Sequence, residues 1–393
     1  MKKIAILGQG TAGAQAIIHF LRHMPDTEIE WHYDPSIPTQ AVGEGAVLPL
    51  ARNMFENLNL NYLELDKVDG TIKTGIYKSG WGDEKPDFLH SFPPPNVSLH
   101  FNAKGLQKYI YEKVKDKVTV VEHNITAKDI DSDFVIDCSG RPKSFEDFEV
   151  PSYIPVNSVH VTQCYWDYAK FNHTLTIARP YGWVFGVPLQ NRCSIGYLYN
   201  NKINSLEEVK EDVKNIFDRF NLNPSDDTNT FTFGNYYRKK NYDGRIAYNG
   251  NASFFLEPLE ATSVGVMDQI QRSSYDIINS NISHNQANYT YTKLLTEIET
   301  VIMLHYLAGS EHKTEFWEFA QERAVRCVTN ASKDVNFIQV YAEAKSATTA
   351  NLCPATVEYG LWQSIAFNQN IYGLGIVEKL DNIIYGSLGG QNV

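Results

Sequence analysis

Ile4-Ala5-Ile6-Leu7-Gly8-Gln9-Gly10-Thr11-Ala12-Gly13 decides the fold. A short apolar run ends in G-x-G-x-x-G and passes directly into a helical pattern over 14–24. Gly8 permits the tight turn, Gly10 presents bare backbone to a pyrophosphate, and Gly13 lets the helix pack closely on the strand. The helix, entered through Thr11 and Ala12, aims free N–H groups and its positive end at the phosphates. A second strand over 28–33 ends in Asp34, about 20 residues past Gly13, where a ribose hydroxyl is expected. The glycine turn alone also suits unrelated α/β proteins. The strand before it, the helix after it and the acid behind it favour dinucleotide binding.

Composition narrows the class. The chain has 393 residues, enough for one large domain or two interleaved ones. A formal net charge of −11 argues against a nucleic-acid surface, which needs a basic stripe. Lys108, Lys113, Lys115 and Lys117 cluster, but Glu112 and Asp116 interrupt them, as on a solvated helix face. Five scattered cysteines (Cys138, Cys164, Cys193, Cys327, Cys353) show no metal-ligand spacing and no disulfide framework. No metal is expected, and a reducing, cytoplasmic setting fits. No apolar run reaches membrane-spanning length, and the run after Lys2-Lys3 is too short for a signal peptide.

Beyond a Pro35–Pro38 loop lies Val42-Gly43-Glu44-Gly45-Ala46, then a helix through Asn57. A glycine-flanked acid here suits a flexible segment beside a second part of a flavin cofactor; an exposed turn is the plainer reading. Thr71-Ile72-Lys73-Thr74-Gly75-Ile76-Tyr77 reads as one strand. Alternation then puts Lys73, Gly75 and Tyr77 on one face, the glycine leaving space around the amine. A solvated strand lysine is the plain alternative. Residues 88–95 read as an ordered loop. Leu106, Ile110 and Val114 mark a helix, and 118–123 and 133–138 read as strands, the second ending in the small turn Ser139-Gly140. From Pro151 to about Arg245, aromatic and β-branched runs predict an antiparallel sheet, with an amphipathic helix over 206–220. Gly250-Asn251-Ala252 is expected as a short strand. Phe255-Leu256-Glu257-Pro258-Leu259-Glu260-Ala261-Thr262-Ser263 leads into a helix whose N-cap is Thr262 or Ser263. That electropositive end can hold a small anion or the edge of a flavin ring through the Thr262 and Ser263 N–H groups. The remainder, 294–384, reads as mostly helical.

Several of these stretches resemble the flavin-dependent halogenases of the tryptophan-halogenase type. Gly8-Gln9-Gly10-Thr11-Ala12-Gly13 is similar to that family's nucleotide turn, and Val42-Gly43-Glu44-Gly45 to its V-G-E-A loop. Thr71 to Ile76 matches the stretch with the family's catalytic lysine. Trp183-Val184-Phe185-Gly186-Val187-Pro188 resembles W-x-W-x-I-P, and Phe255 to Gly265 resembles F-L-E-P-L-E-S-T. Asp137-Cys138-Ser139-Gly140 and Tyr359-Gly360-Leu361-Trp362 also look familial. Two departures stand out: Phe185 replaces a tryptophan, and the C-terminal part is short.

The resemblance implies an α/β fold. A discontinuous Rossmann-like FAD-binding domain of the aromatic-hydroxylase type would span 1–150 and 244–290. An antiparallel sheet and helix of the substrate module would take 151–243, and a mostly helical substrate region 291–393. It implies Lys73 and Glu260 as catalytic, and a halide at Thr262 and Ser263. FAD would be held by Gly8, Gly10, Thr11, Ala12, Gly13, Asp34, Gly43, Glu44, Ala46, Gly140, Asn251 and Leu256. Trp183, Phe185 and Pro188 would form a barrier between flavin and substrate. Reduced FAD, oxygen and halide would yield hypohalous acid, passed to Lys73 and used on an electron-rich aromatic, an indole or a phenol. The single dinucleotide turn implies a separate flavin reductase as partner. The aromatic C-terminal half leaves room for an interface between copies. Two other readings stand beside this one: a monooxygenase of the same fold, favoured by Phe185, and a non-catalytic FAD-binding protein.

Overall fold

The computed structural model describes residues 3–38, 44–82, 87–92, 96–347 and 357–389. The chain divides into two compact units. The first comprises Met1–Lys73, Pro93–Val150 and Asn235–Lys293; the second comprises Thr74–Phe92, Pro151–Gly234 and Leu294–Val393.

The first unit is built on a six-stranded sheet. Its order is Tyr242–Asp243, Ile246–Tyr248, Phe134–Asp137, Lys3–Leu7, Glu28–Tyr33, Thr119–Glu122. All neighbours run parallel except the antiparallel pair at the Tyr242–Asp243 edge. Central strands of such a sheet are covered on both faces and therefore read as unbroken apolar runs. Ile4, Ala5, Ile6, Val135 and Ile136 are accordingly fully buried. Helices Thr11–His23 and Thr262–Ile278 pack against one another, and Ala103–Val114 packs on the first of them. Ligands in open α/β sheets bind beyond the carboxyl ends of the strands, which fixes where to look.

A smaller assembly in the same unit carries the lysine. Thr71–Lys73 pairs antiparallel with Ser98–His100, placing Lys73 directly opposite Ser98. The segment at Gly45 and Ala46 lines the other side of Ser98–His100: Gly45 bridges His100, and Ala46 N–H donates to the Leu99 carbonyl at 2.8 Å.

The second unit holds a seven-stranded sheet. Its order is Pro224–Thr232, Ser158–Tyr165, Arg192–Tyr199, Gly182–Pro188, Thr174–Arg179, Gly75–Ser79, Phe88–Ser91. One face packs Leu175, Ile177, Val184, Ile195 and Tyr197 against Val209 and Ile216 of two short helices. Arg179 clamps Asp212 through both carboxylate oxygens, and Tyr197 donates to the same carboxylate at 2.9 Å. Helices Glu315–Ala331, Val335–Ser346, Ser364–Gly373 and Val377–Gly389 complete the C-terminal part.

Several expectations need correction. Residues 71–77 are two strands, not one: Thr71–Lys73 and Gly75–Ser79 belong to different sheets. Gly75 does not leave room beside the amine; a Cβ there would lie 2.4 Å from the His90 carbonyl oxygen. Its bare backbone admits the neighbouring strand. Residues 88–91 form that strand rather than a loop, while 93–95 lie outside the described residues. Gly250–Ala252 is a short 3-10 helix, its first residue at φ 57°, not a strand. The amphipathic stretch 206–220 is broken at Val213 into Leu206–Asp212 and Lys214–Arg219. Within 151–245 the strands of the second sheet pair antiparallel as expected; the sheet becomes mixed only where Gly75–Ser79, from outside that span, joins Thr174–Arg179 in parallel.

Candidate active site

The nucleotide turn has the geometry its glycines demand. Gly8 sits at φ 107°, and a Cβ there would meet the Cys138 carbonyl oxygen at 2.3 Å. A Cβ on Gly13 would fall 2.1 Å from the Gly8 carbonyl oxygen, so helix and turn touch through backbone. A Cβ on Gly10, by contrast, meets nothing within 4 Å. Gly10 caps helix Thr11–His23 with no side-chain hydrogen bond, so the first-turn N–H groups around Thr11, Ala12 and Gly13 have no capping side chain. An open cradle at an uncapped helix start fits a pyrophosphate. Asp34 lies at the end of its strand, accepting from Ser36 N–H at 2.9 Å and from Asn124 at 3.1 Å. The Ser36 hydrogen bonds hold its carboxyl below the usual range, so it stays an acceptor for a ribose hydroxyl.

Other residues frame the same place. Gly140, at φ 100° after the Phe134–Asp137 strand, also faces open space. Asn251 lies in the 3-10 turn that abuts the start of the first helix: a Cβ on Gly250 would lie 2.8 Å from the Ala12 methyl. Leu256 and Glu44 are buried. Gly43 falls outside the described residues. Beside Gln9 a cavity of about 250 Å³ opens, lined by Trp31, Tyr33, Lys104, Gln107, Lys108 and Tyr111. Gln107 donates to the Gln9 carbonyl, and Trp31 Nε1 donates to the Gly8 carbonyl at 2.9 Å. Of these the sequence singles out only Lys108, and that as part of a solvated helix face. They come from separate elements that only the fold brings to the turn.

Lys73 is 0 % exposed. Its Nζ donates to the Ala46 carbonyl at 3.2 Å. Burial pulls its pKa from the ordinary lysine range to about 8, with the Glu260 charge opposing the fall. An amine so placed changes protonation near neutrality, whereas a solvated lysine does not. Glu260 is 6 % exposed. It stands at φ 68° and Ala261 at φ 53°, two successive non-glycine residues in the left-handed region. Such backbone costs of order 1–3 kcal/mol per residue and concentrates at functional sites. The double twist ends the approach segment and starts helix Thr262–Ile278. Its N-cap is Ala261, without a capping side chain, and Thr262 is the first helical residue. The expected cap at Thr262 or Ser263 is thereby corrected. The anion-binding expectation gains a reason, because no side chain caps the first-turn N–H groups.

Trp183 and Phe185 share one face of strand Gly182–Pro188 in the second unit, ring centroids 6.4 Å apart. The Phe185 ring lies across Gly196, where a Cβ would come within 2.1 Å of it. Trp183 and Pro188 are buried, and Phe185 is half-buried. A second buried lysine, Lys78, contacts His305 Nε2 at 2.6 Å and donates to Asn370.

The family model for tryptophan halogenases matches residues 3–113 and 103–383. The chain belongs to the tryptophan halogenase family. These are flavin-dependent enzymes, and the α/β architecture agrees with that of their solved members. The tryptophan 7-halogenase RebH of Lentzea aerocolonigenes is 21 % identical over 478 residues, covering 95 % of this chain and 90 % of its own. Among solved structures, the tryptophan 6-halogenase SttH of Streptomyces toxytricini matches with TM-score 0.75 and 17 % identity, over 96 % of this chain and 91 % of its own. A tryptophan halogenase of Shewanella frigidimarina NCIMB 400 matches with TM-score 0.77 and 16 % identity, over 99 % and 94 %. At such identities the structural likeness of this family member speaks to fold. Among the described residues, no group of His, Cys, Asp and Glu could hold a metal ion, and no helix is long and apolar enough to cross a membrane. Cys138, Cys164, Cys193 and Cys327 are buried free thiols; Cys353 lies outside the described residues.

Proposed function

We propose that this chain halogenates an electron-rich aromatic ring, an indole or a phenol, through an oxidant held at Lys73. The observation that carries the reading is a fully buried amine in the electrostatic field of Glu260, which stands just before an uncapped helix; burial lowers the amine's pKa to about 8. FAD, bound at the Gly10 cradle with its ribose at Asp34, would supply the two electrons that let oxygen convert halide into hypohalous acid. Oxygen, a proton and the halide enter with reduced FAD; hypohalous acid, water and oxidised FAD leave. Backbone N–H groups of Thr262 and Ser263 would hold the halide. Lys73 either donates hydrogen bonds to the hypohalous acid or takes the halogen as a haloamine. Glu260 would polarise the oxidant or accept the ring proton. In the net reaction the ring gains halogen, and its proton leaves with the oxidant's oxygen as water.

Trp183, Phe185 and Pro188 are proposed as the flavin–substrate barrier; the aromatic face shared by Trp183 and Phe185 supports the first two, while alternation turns Pro188 to the strand's other face. With one dinucleotide turn, reduced FAD would come from a separate flavin reductase. The relatives are named for tryptophan, which places indole first among the rings to try. Phe185 supports a second reading, oxygenation, since it lacks the bulk of the family's tryptophan. One assay separates the outcomes. Reduced FAD, oxygen and bromide are supplied with a panel of indoles and phenols, and products are weighed by mass spectrometry. Bromine added in place of hydrogen is the expected result; oxygen added, or unchanged substrate, contradicts it.

A further inference from the structure

Ser98 stands directly across from Lys73 in an antiparallel pair, so both side chains project from the same face, with Cβ atoms about 5 Å apart. Ala46 belongs to the segment on the far side of the Ser98 strand. Lys73 Nζ donates to the Ala46 carbonyl at 3.2 Å, so its side chain spans the strand that carries Ser98. Ser98 is 0 % exposed, and its Oγ has no hydrogen-bond partner among the described residues. Leaving a buried hydroxyl unsatisfied costs of order 1–3 kcal/mol, so its retention at this place asks for a ligand.

We propose that Ser98 binds the oxidant at Lys73, its hydroxyl donating to the oxygen of the hypohalous acid. This rests on the halogenase reading above. The contact has a chemical consequence. As the ring's electron pair forms the carbon–halogen bond, the oxygen–halogen bond breaks with its pair left on oxygen. That oxygen takes a proton and leaves as water. A hydrogen bond from Ser98 stabilises the negative charge developing on the oxygen, which is where a preorganised donor helps most. It also gives the oxidant a second anchor, so less escapes into solution.

The test compares wild type, Ser98→Ala, Ser98→Thr and Lys73→Ala, each as full chain with reduced FAD, oxygen, bromide and an accepted phenol or indole. Three quantities are read: brominated product per reduced FAD consumed, free hypobromite trapped by an added diketone, and the melting temperature without cofactor. Ser98→Ala should lower the product ratio roughly tenfold and raise trapped hypobromite, with melting temperature unchanged or higher. Ser98→Thr, which keeps the hydroxyl, should recover most of the ratio. A product ratio in Ser98→Ala within twofold of wild type overturns the proposal. So does a loss accompanied by a melting temperature several degrees lower and unrescued by threonine. If Lys73→Ala is inactive while Ser98→Ala is normal, only the serine assignment falls. If wild type brominates nothing, the lysine reading falls and takes this one with it.

Discussion

Lys73 shows what burying an amine costs a fold. Its pKa of about 8 lies well below the unperturbed lysine value, because burial penalises the charged form. Between pH 8 and roughly 10.4 the unfolded chain holds a proton that the folded chain has released, so stability rises with pH across that window. Below pH 8 the penalty is present in full. Lys73→Met should therefore stabilise the protein at pH 7, by about 3 kcal/mol at most. The gain should shrink as pH climbs from 8 towards 10.4. Melting temperatures of both proteins across that range check it; a methionine variant less stable at pH 7 would show that the amine is not desolvated. The same residue scale explains Glu260 and Ala261, whose left-handed backbone stores strain at the segment expected to carry the catalytic acid.

At the scale of elements, the nucleotide turn separates what folding needs from what binding needs. Gly8 and Gly13 are pressed against backbone, whereas Gly10 faces open space with an ordinary φ of −65°. Gly10→Leu should melt within a few degrees of wild type, yet bind FAD at least tenfold more weakly by flavin-fluorescence titration. A variant that binds FAD as wild type does would show that the phosphates lie elsewhere. This turn was legible because its strand, glycines, helix and acid are contiguous, and local pattern sufficed. The lysine strand was only half legible. Alternation predicted one strand over 71–77, but Thr74 ends the first pairing and the chain enters another sheet. Likewise Ser98 carries no local signal; its meaning comes from register against residues some 25 positions earlier, which periodicity does not encode. Gly250–Ala252 reads as a strand because small residues between aromatic ones mimic a buried run, yet the positive φ of Gly250 turns it into a 3-10 helix.

Across the whole molecule, two units divide the chain, and residues expected to work together come from distant stretches of it. Lys73, Ser98, Glu260 and Thr262 lie in one unit although nearly 190 positions separate the first from the last. Trp183 and Phe185 lie in the other. The family model matches along both, so the architecture is shared with flavin-dependent relatives throughout. Folds of this kind host several oxidative chemistries, and the site decides among them. Under the proposal above, the buried amine is the feature that would turn the choice towards halogen transfer. The direct test is the yield of brominated product per reduced FAD consumed in Lys73→Met against wild type, at equal flavin reoxidation. The yield should vanish while oxidant production continues. An unchanged yield in the methionine variant would contradict it.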